Sequence, residues 1–164
     1  MKTKLMLLIA FIGITFVASA QYNFVVQNNT TAVFKTINEA FTNAESGDTI
    51  YLPGGSFNMP TIVDKSLVLI GVGYNPDSTS ATYNTRINNG VSFTGNCDNT
   101  FVTGIYFSSD VNIGSNGNNA TDFKLFRCRI GGSIQLKYAN NIDSIINSHI
   151  SQCVIDGNID ANLG

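Results

Sequence analysis

The pentapeptides TGIYF at residues 103–107, FRCRI at 126–130 and INSHI at 146–150 decide the fold of this chain. Set in register, their last residues lie 23 and 20 positions apart. Polar pairs precede them at 98–99, 121–122 and 140–141, and second apolar strands follow at 111–113, 134–136 and 153–155. A period of about 20 residues that holds several short strands and no helix is typical of a β-solenoid, in which stacked repeats build the core together.

One amphipathic helix precedes these repeats. Thr36 and Glu39 have the spacing of a capping box, in which each side chain bonds the other residue's backbone N–H. Apolar residues follow at helical spacing, namely Ile37, Ala40, Phe41 and Ala44. Gly47 is expected to end the helix. Its apolar stripe could cover the open end of a solenoid.

Three motifs lie in and after this helix: FKTINEAF at 34–41, GDTIYLPGGSF at 47–57 and KSLVLIGVG at 65–73. Together they resemble the N-terminal portion of the pectate-lyase-like (pectin lyase fold) right-handed parallel β-helix superfamily. The resemblance implies an all-β fold, a right-handed single-stranded parallel β-helix (solenoid) with a short N-terminal capping α-helix. We expect an N-terminal segment at 21–34 and about five rungs over 35–164.

The first twenty residues have the pattern of a signal peptide. Lys2 and Lys4 precede an apolar run at 5–17, and small residues follow at 18–20. The run is shorter than the roughly 20 residues that a membrane-spanning helix needs. We therefore expect cleavage before Gln21, no membrane span afterwards, and a secreted, extracellular or cell-surface protein.

Charge and composition narrow the class of partner. Without Lys2 and Lys4, the nine Lys and Arg residues fall to seven against eleven Asp and Glu, which gives a net charge of −4. Nucleic-acid-binding domains usually carry a basic excess, so nucleic acid is not an expected partner. Charged residues make up only 12% of the chain, whereas about twenty Asn and 15 Gly suit many tight corners.

Strand alternation predicts an outward-facing polar patch beside the buried positions of the repeats. In the register above, the outward residues form one column of Gly104, Arg127 and Asn147, and a second of Tyr106, Arg129 and His149. Arg binds carboxylates in a bidentate fashion, and Tyr offers a flat face to a sugar ring. The candidate ligand-binding face is therefore Tyr106, Arg127, Arg129, Asn147 and His149, with an acidic polysaccharide as the ligand. A solvated sheet face with cross-strand pairs is the alternative interpretation.

Acidic residues give weaker signals. Hydrolases and esterases of the superfamily that the chain resembles use two or three Asp in adjacent rungs. Asp98, Asp122 and Asp143 lie near matching corners, and Asp110 begins a second strand, but such positions also suit Asx turns. No Cys/His spacing predicts a metal site, so no cofactor is expected. Calcium at the oxygen-rich corners of Asp156 and Asp160 is an open alternative.

The chain has three cysteines: Cys97, Cys128 and Cys153. An odd number without a CxxC motif favours buried, reduced residues of the core. A bridge between Cys128 and Cys153 is the main alternative.

These observations predict a secreted β-helix scaffold that binds or processes a polysaccharide. If it is an enzyme, a polysaccharide lyase or a glycoside hydrolase is expected, with catalytic residues unassigned. A non-catalytic, adhesin-like surface solenoid is the alternative function. The rung pattern continues to Gly164 without an amphipathic cap. We therefore expect a C-terminally incomplete chain that is inactive alone, or a downstream domain or oligomer contact over the last rung.

Overall fold

A computed structural model describes residues 22–75, 83–114, 120–138 and 145–163. This part of the chain contains one helix and is otherwise built from short strands. The elements are β1 (Phe24–Gln27), β2 (Thr31–Phe34), α1 (Ile37–Asn43), β3 (Thr49–Leu52), β4 (Gly55–Phe57), β5 (Ile62–Val63), β6 (Val68–Gly71), β7 (Thr85–Ile87), β8 (Val91–Phe93), β9 (Phe101–Thr103), β10 (Ile105–Phe107), β11 (Val111–Ile113), β12 (Ala120–Thr121), β13 (Lys124–Phe126), β14 (Arg129–Ile130), β15 (Ile134–Tyr138), β16 (Ile145–Ile146), β17 (His149–Ser151), β18 (Val154–Ile155) and β19 (Ile159–Leu163). The predicted signal peptide lies outside the described residues.

Most strands belong to three parallel sheets. The first sheet has the order β17-β13-β9-β6-β3 and continues into the antiparallel hairpin of β1 and β2. The second sheet has the order β18-β14-β10-β7-β4, and the third has β19-β15-β11-β8-β5. A small parallel pair, β12 and β16, forms a fourth sheet. The predicted all-β class with parallel strands is confirmed.

Apart from β12 and β16, which form the fourth sheet, successive strands from β3 onward enter the first, second and third sheets in turn. This rotation defines five repeats: β3–β5, β6–β8, β9–β11, β12–β15 and β16–β19. Each repeat adds one strand to each of the three sheets, so equivalent residues of neighbouring repeats lie side by side.

The core lies between the three sheets. Paired positions of adjacent repeats form apolar columns: Ile50, Leu69, Val102 and Leu125 in the first sheet, and Phe57, Ile87, Phe107 and Ile130 in the second. All of these side chains are buried. Burial of one such side chain stabilises the fold by about 1.5–3 kcal/mol, and the columns supply many of them.

The helix α1 begins with the predicted capping box. The Glu39 N–H donates to Thr36 Oγ1 and the Thr36 N–H donates to Glu39 Oε2, both at 3.2 Å. The predicted apolar stripe is buried, and the helix packs on β1, β2 and β3 at one edge of the first sheet. The helix ends at Asn43, earlier than Gly47, because Ala44 adopts an extended conformation.

The register of the third pentapeptide corrects the sequence alignment. Ile150 pairs with Leu125 in the first sheet, whereas the partner of Ile130 is Ile155. The segment equivalent to FRCRI is therefore SQCVI at 151–155, and its strand β18 belongs to the second sheet rather than to the third. The predicted polar pair at 140–141 lies outside the described residues.

Two columns of left-handed corners explain this shift. Gly104, Arg127 and Gln152 have φ values of 70°, 49° and 53°, and they form the corner between the first and second sheets. Asn99, Asp122 and Asn147 have φ values of 59°, 56° and 52°, and they form the corner before the first sheet. The sequence alignment set Asn147 in the column of Gly104 and Arg127, and it is Gln152 that occupies this corner.

No helix among the described residues is long and apolar enough to cross a membrane.

Candidate functional site

The outer face of the second sheet carries a column of cationic and aromatic side chains. Arg86 of β7 pairs with Tyr106 of β10, and Tyr106 pairs with Arg129 of β14. The flanking residues of these strands point into the core, so alternation directs the three side chains outward. We call this column, Arg86, Tyr106 and Arg129, the arginine–tyrosine ladder.

The two guanidinium groups of the ladder pack on the same ring. Arg86 Cζ lies 5.0 Å and Arg129 Cζ 5.2 Å from the ring centroid of Tyr106. Both distances lie within the range of a cation–π interaction, which contributes about 0.5–1 kcal/mol at an exposed site. Tyr106 is half-buried, whereas Arg86 and Arg129 are exposed.

The two arginines differ in their further partners. Arg129 donates from Nε and Nη2 to Asp156 Oδ2 at 3.1 and 3.0 Å. Both side chains of this ion pair are substantially exposed, so the pair contributes only about 0–1 kcal/mol. Among the described residues no carboxylate pairs with Arg86. Within the described ranges, the ladder therefore presents one cation that has no carboxylate partner there, and a second cation that an external carboxylate can compete for.

Arg127 lies at the corner beside the ladder rather than in it. Its Nε donates to Gln152 Oε1 at 2.9 Å, and its guanidinium lies 5.0 Å from the ring centroid of Phe126. It also lines an open cleft of about 400 Å³, together with residues 71–75, Thr103 and Gly104. Arg127 is exposed, so the corner extends the cationic surface from the second sheet toward the first.

Asn147 and His149 do not join the other predicted site residues. His149 pairs with Lys124 of β13 on the first sheet, and Asn147 forms the corner before β17. The residue that follows Arg129 in the ladder column is Val154. The predicted proximity of Asn147 and His149 to Arg129 is therefore wrong, since it depended on the misaligned third pentapeptide.

Arg86 is the site residue that the sequence analysis missed. It lies in the tripeptide TRI at 85–87, and Ile87 precedes Phe107 by 20 residues, which is within the period of the repeats. Extending the alignment by one repeat toward the N-terminus would have placed Arg86 next to Tyr106.

The aspartates of the predicted acidic column bind backbone groups. Asp98 Oδ1 accepts from the Thr121 N–H at 2.7 Å, and Asp110 Oδ1 accepts from the Ser133 N–H at 2.8 Å. Each of these bonds joins one repeat to the next. Asp122 lies at a left-handed corner, and Asp143 lies outside the described residues.

The calcium alternative finds little support in the local contacts. Asp156 binds Arg129, and Asp160 lies opposite Gln135 on the third sheet. Within the described residues, no group of three or more His, Cys, Asp or Glu side chains could hold a metal ion.

All three cysteines are free thiols, but their surroundings differ. Cys97 is buried, and burial together with the charge of Asp98 raises its pKa to about 11. Cys128 is buried as well, whereas Cys153 is half-buried. The expectation of buried, reduced residues therefore describes Cys97 and Cys128 and fits Cys153 only in part.

Comparison with known proteins finds no matching family model, curated protein or solved structure. The geometry of the chain's own residues is therefore the basis for assigning a function.

Proposed function

We propose that this chain is a secreted right-handed parallel β-helix that binds an acidic polysaccharide through the arginine–tyrosine ladder. The observation that carries the proposal is the pair of guanidinium groups packed on one Tyr ring, on an otherwise acidic protein. Export through the signal peptide at residues 1–20 is part of the proposal.

The order of the strands supports a β-helix. Apart from β12 and β16, consecutive strands from β3 onward rotate through three parallel sheets, and each of these sheets gains one strand per repeat. Crossover connections between parallel strands are right-handed in about 98% of cases, and this rule favours a right-handed path. The resemblance of residues 34–73 to the pectate-lyase-like superfamily leads to the same fold, and α1 then takes the role of the N-terminal cap.

The geometry of the ladder suits an extended polyanion. Arg86 and Arg129 lie on strands that are two positions apart in the sheet, so their backbones are separated by roughly 9–10 Å. A chain that runs along the stack of repeats would bring successive carboxylates past both guanidinium groups. Arg127 at the neighbouring corner would extend this track.

Tyr106 has a different role from the one that the sequence suggested. Because two guanidinium groups pack on its ring, its flat face is not the natural place for a sugar ring. Its role is to hold the two cations in position, which lowers the entropy that they lose when they bind carboxylates.

Binding, rather than a particular reaction, is what the contacts support. A hydrolase with paired carboxylates needs acidic groups that are free to exchange protons. Asp98 and Asp110 instead accept hydrogen bonds from backbone amides. The ladder would serve a polysaccharide-processing enzyme and an adhesin-like surface protein equally well. Incubation with polygalacturonate and alginate, followed by detection of unsaturated or reducing ends, distinguishes the two.

The binding proposal is tested with a double variant, Arg86→Gln with Arg129→Gln. Its affinity for polygalacturonate and alginate is measured by calorimetry at low and moderate salt. We expect affinity to fall by at least about tenfold, because a hydrogen bond to a charged group contributes about 1.5–3 kcal/mol. Arg127→Gln alone should give a smaller loss.

The matched control removes two positive charges elsewhere, through Lys35→Gln with Lys124→Gln. Both lysines are exposed and lie outside the ladder. This variant should keep wild-type affinity, and an uncharged polymer such as dextran should not bind to any of the proteins. Equal losses in both double variants would reveal a general charge effect. Unchanged affinity in the ladder variant would contradict the binding proposal. The ladder would then serve only to stabilise the sheet.

A further inference from the structure

Cys128 and Cys153 occupy equivalent positions in the fourth and fifth repeats. Each follows a left-handed corner residue, Arg127 or Gln152, and the Val154 N–H donates to the Cys128 carbonyl at 3.0 Å. Neighbouring parallel strands lie about 4.8 Å apart, and a disulfide needs Cα atoms about 4.4–6.8 Å apart. The register therefore places the two thiols where a single bond could join the repeats.

The surroundings of the two sulfurs are unequal. Cys128 is fully buried, whereas Cys153 is half-buried and within reach of a small molecule. Cys153 Sγ lies 3.3 Å from the Ser151 carbonyl oxygen, at the edge of the fifth repeat. One thiol is thus partly exposed, whereas the other is shielded from solvent.

The two thiols also differ in acidity. The neighbouring Cys128 thiol lowers the pKa of Cys153 to about 7, against the opposing effect of burial. Burial, together with the neighbouring Cys153, raises the pKa of Cys128 well above its ordinary value. The thiolate is the nucleophile in disulfide exchange, so Cys153 is the residue suited to attack first.

We propose that Cys128 and Cys153 form a redox-active pair that reacts with low-molecular-weight disulfides such as glutathione disulfide. Cys153 is the attacking residue and Cys128 the resolving residue. The product is a disulfide that joins the fourth and fifth repeats.

The reaction has two balanced steps. The Cys153 thiolate attacks one sulfur of glutathione disulfide, a bond between Cys153 and glutathione forms, and one glutathione thiolate leaves. The Cys128 sulfur then attacks the Cys153 sulfur, and its proton passes to the departing glutathione sulfur. The second glutathione leaves, so two cysteines are oxidised while one glutathione disulfide is reduced to two glutathione molecules.

Cys97 lies outside this pair. It is fully buried at a corner before β9, where its neighbour Asp98 and burial both disfavour its thiolate. It should stay reduced, and it provides an internal reference in the same molecule.

The test exposes the purified, reduced protein to glutathione disulfide under anaerobic conditions, followed by acid quenching and intact-mass measurement. We expect a product that has lost two hydrogens and retains no glutathione. After unfolding and alkylation, the label should be found on Cys97 only. Peptide mapping then identifies the bridge.

Variants separate the two steps. Cys128→Ser, which keeps a hydrogen-bond donor beside Cys153, should accumulate glutathione on Cys153, because the resolving thiol is absent. Cys153→Ala should not react, and Cys97→Ala should form the bridge like the wild type. Circular dichroism checks that each variant is folded.

Two results would overturn the proposal without reference to any variant. One is wild-type protein that retains glutathione on Cys153 without forming the bridge. The other is wild-type protein whose Cys153 does not react at all.

Discussion

Two glycines, Gly71 and Gly104, meet where the second and third repeats pass each other. The Gly73 N–H donates to the Gly104 carbonyl at 2.9 Å, which holds the two segments together. A Cβ atom added to Gly71 would collide with the Gly104 carbonyl oxygen and come within 2.9 Å of Ile105 Cγ1. Backbone cannot yield as a flexible side chain can, so this contact requires a glycine.

We therefore predict that Gly71→Ala lowers the free energy of unfolding by about 1–3 kcal/mol, the usual cost of overpacking. The matched control is Gly90→Ala, whose added Cβ would meet nothing closer than 3.6 Å. Urea denaturation followed by circular dichroism measures both. Equal stability of the two variants would contradict the close approach of the second and third repeats.

At the scale of single residues, the sequence predicted part of the candidate site. Tyr106 and Arg129 do lie side by side, because the spacing of 23 residues between Phe107 and Ile130 is the true register of the third and fourth repeats. Arg86 was missed because the alignment began one repeat too late. His149 was misplaced because the alignment assumed a spacing of 20 residues after Ile130 where the true spacing is 25, and this offset of five moves a side chain to another sheet.

The helix α1 shows how local signals fix one element. Its capping box satisfies two backbone N–H groups that would otherwise lack partners. At the other end, Lys65 Nζ donates to the carbonyl oxygens of Ala44 and Phe41 at 2.7 and 3.0 Å. The capping box could be recognised from sequence, since its two residues are three positions apart. The contact with Lys65 could not, because it joins segments more than 20 positions apart.

At this scale we predict that Thr36→Ala destabilises the protein by about 1 kcal/mol, the typical cost of losing an N-cap. Thr42→Ala, on the exposed surface of the same helix, is the control and should be neutral or slightly stabilising, since alanine has the higher helix propensity. Thermal unfolding measures both variants. A loss of equal size at Thr42 would show that the cap contributes nothing specific.

For the whole molecule, the repeat period and the alternation of apolar residues were enough to predict parallel strands with a shared core. The period works because each repeat contributes equivalent residues, such as Val102 and Leu125, to the same buried column. It fails at the fifth repeat, where the matched residues Ile130 and Ile155 are 25 positions apart instead of the predicted 20. The number of residues in a corner is set by local backbone geometry. The spacing of apolar residues therefore predicts it poorly.

The fifth repeat also differs from the others in burial. On the third sheet, Ile134 of the fourth repeat is fully buried, while its partner Ile159 is 53% exposed. On the first sheet, Leu125 is buried and its partner Ile150 only half-buried. In the described part of the chain, β17, β18 and β19 are each paired on one side only.

A stack of repeats owes much of its stability to the interfaces between neighbours, so a repeat with one interface should open more easily than a repeat with two. We predict that amide hydrogen exchange of this chain is slowest in β9–β11 and β13–β14, and clearly faster in β17–β19. Oxidation of Cys128 and Cys153 should slow exchange in β17 and β18 while leaving β9–β11 unchanged, because the new bond joins only the last two repeats. The same oxidation performed on Cys97→Ala should give the same pattern, whereas Cys153→Ala should show no change. Uniform protection along the chain would mean that the repeats unfold as a single cooperative unit, in conflict with a stability that is built from one repeat to the next.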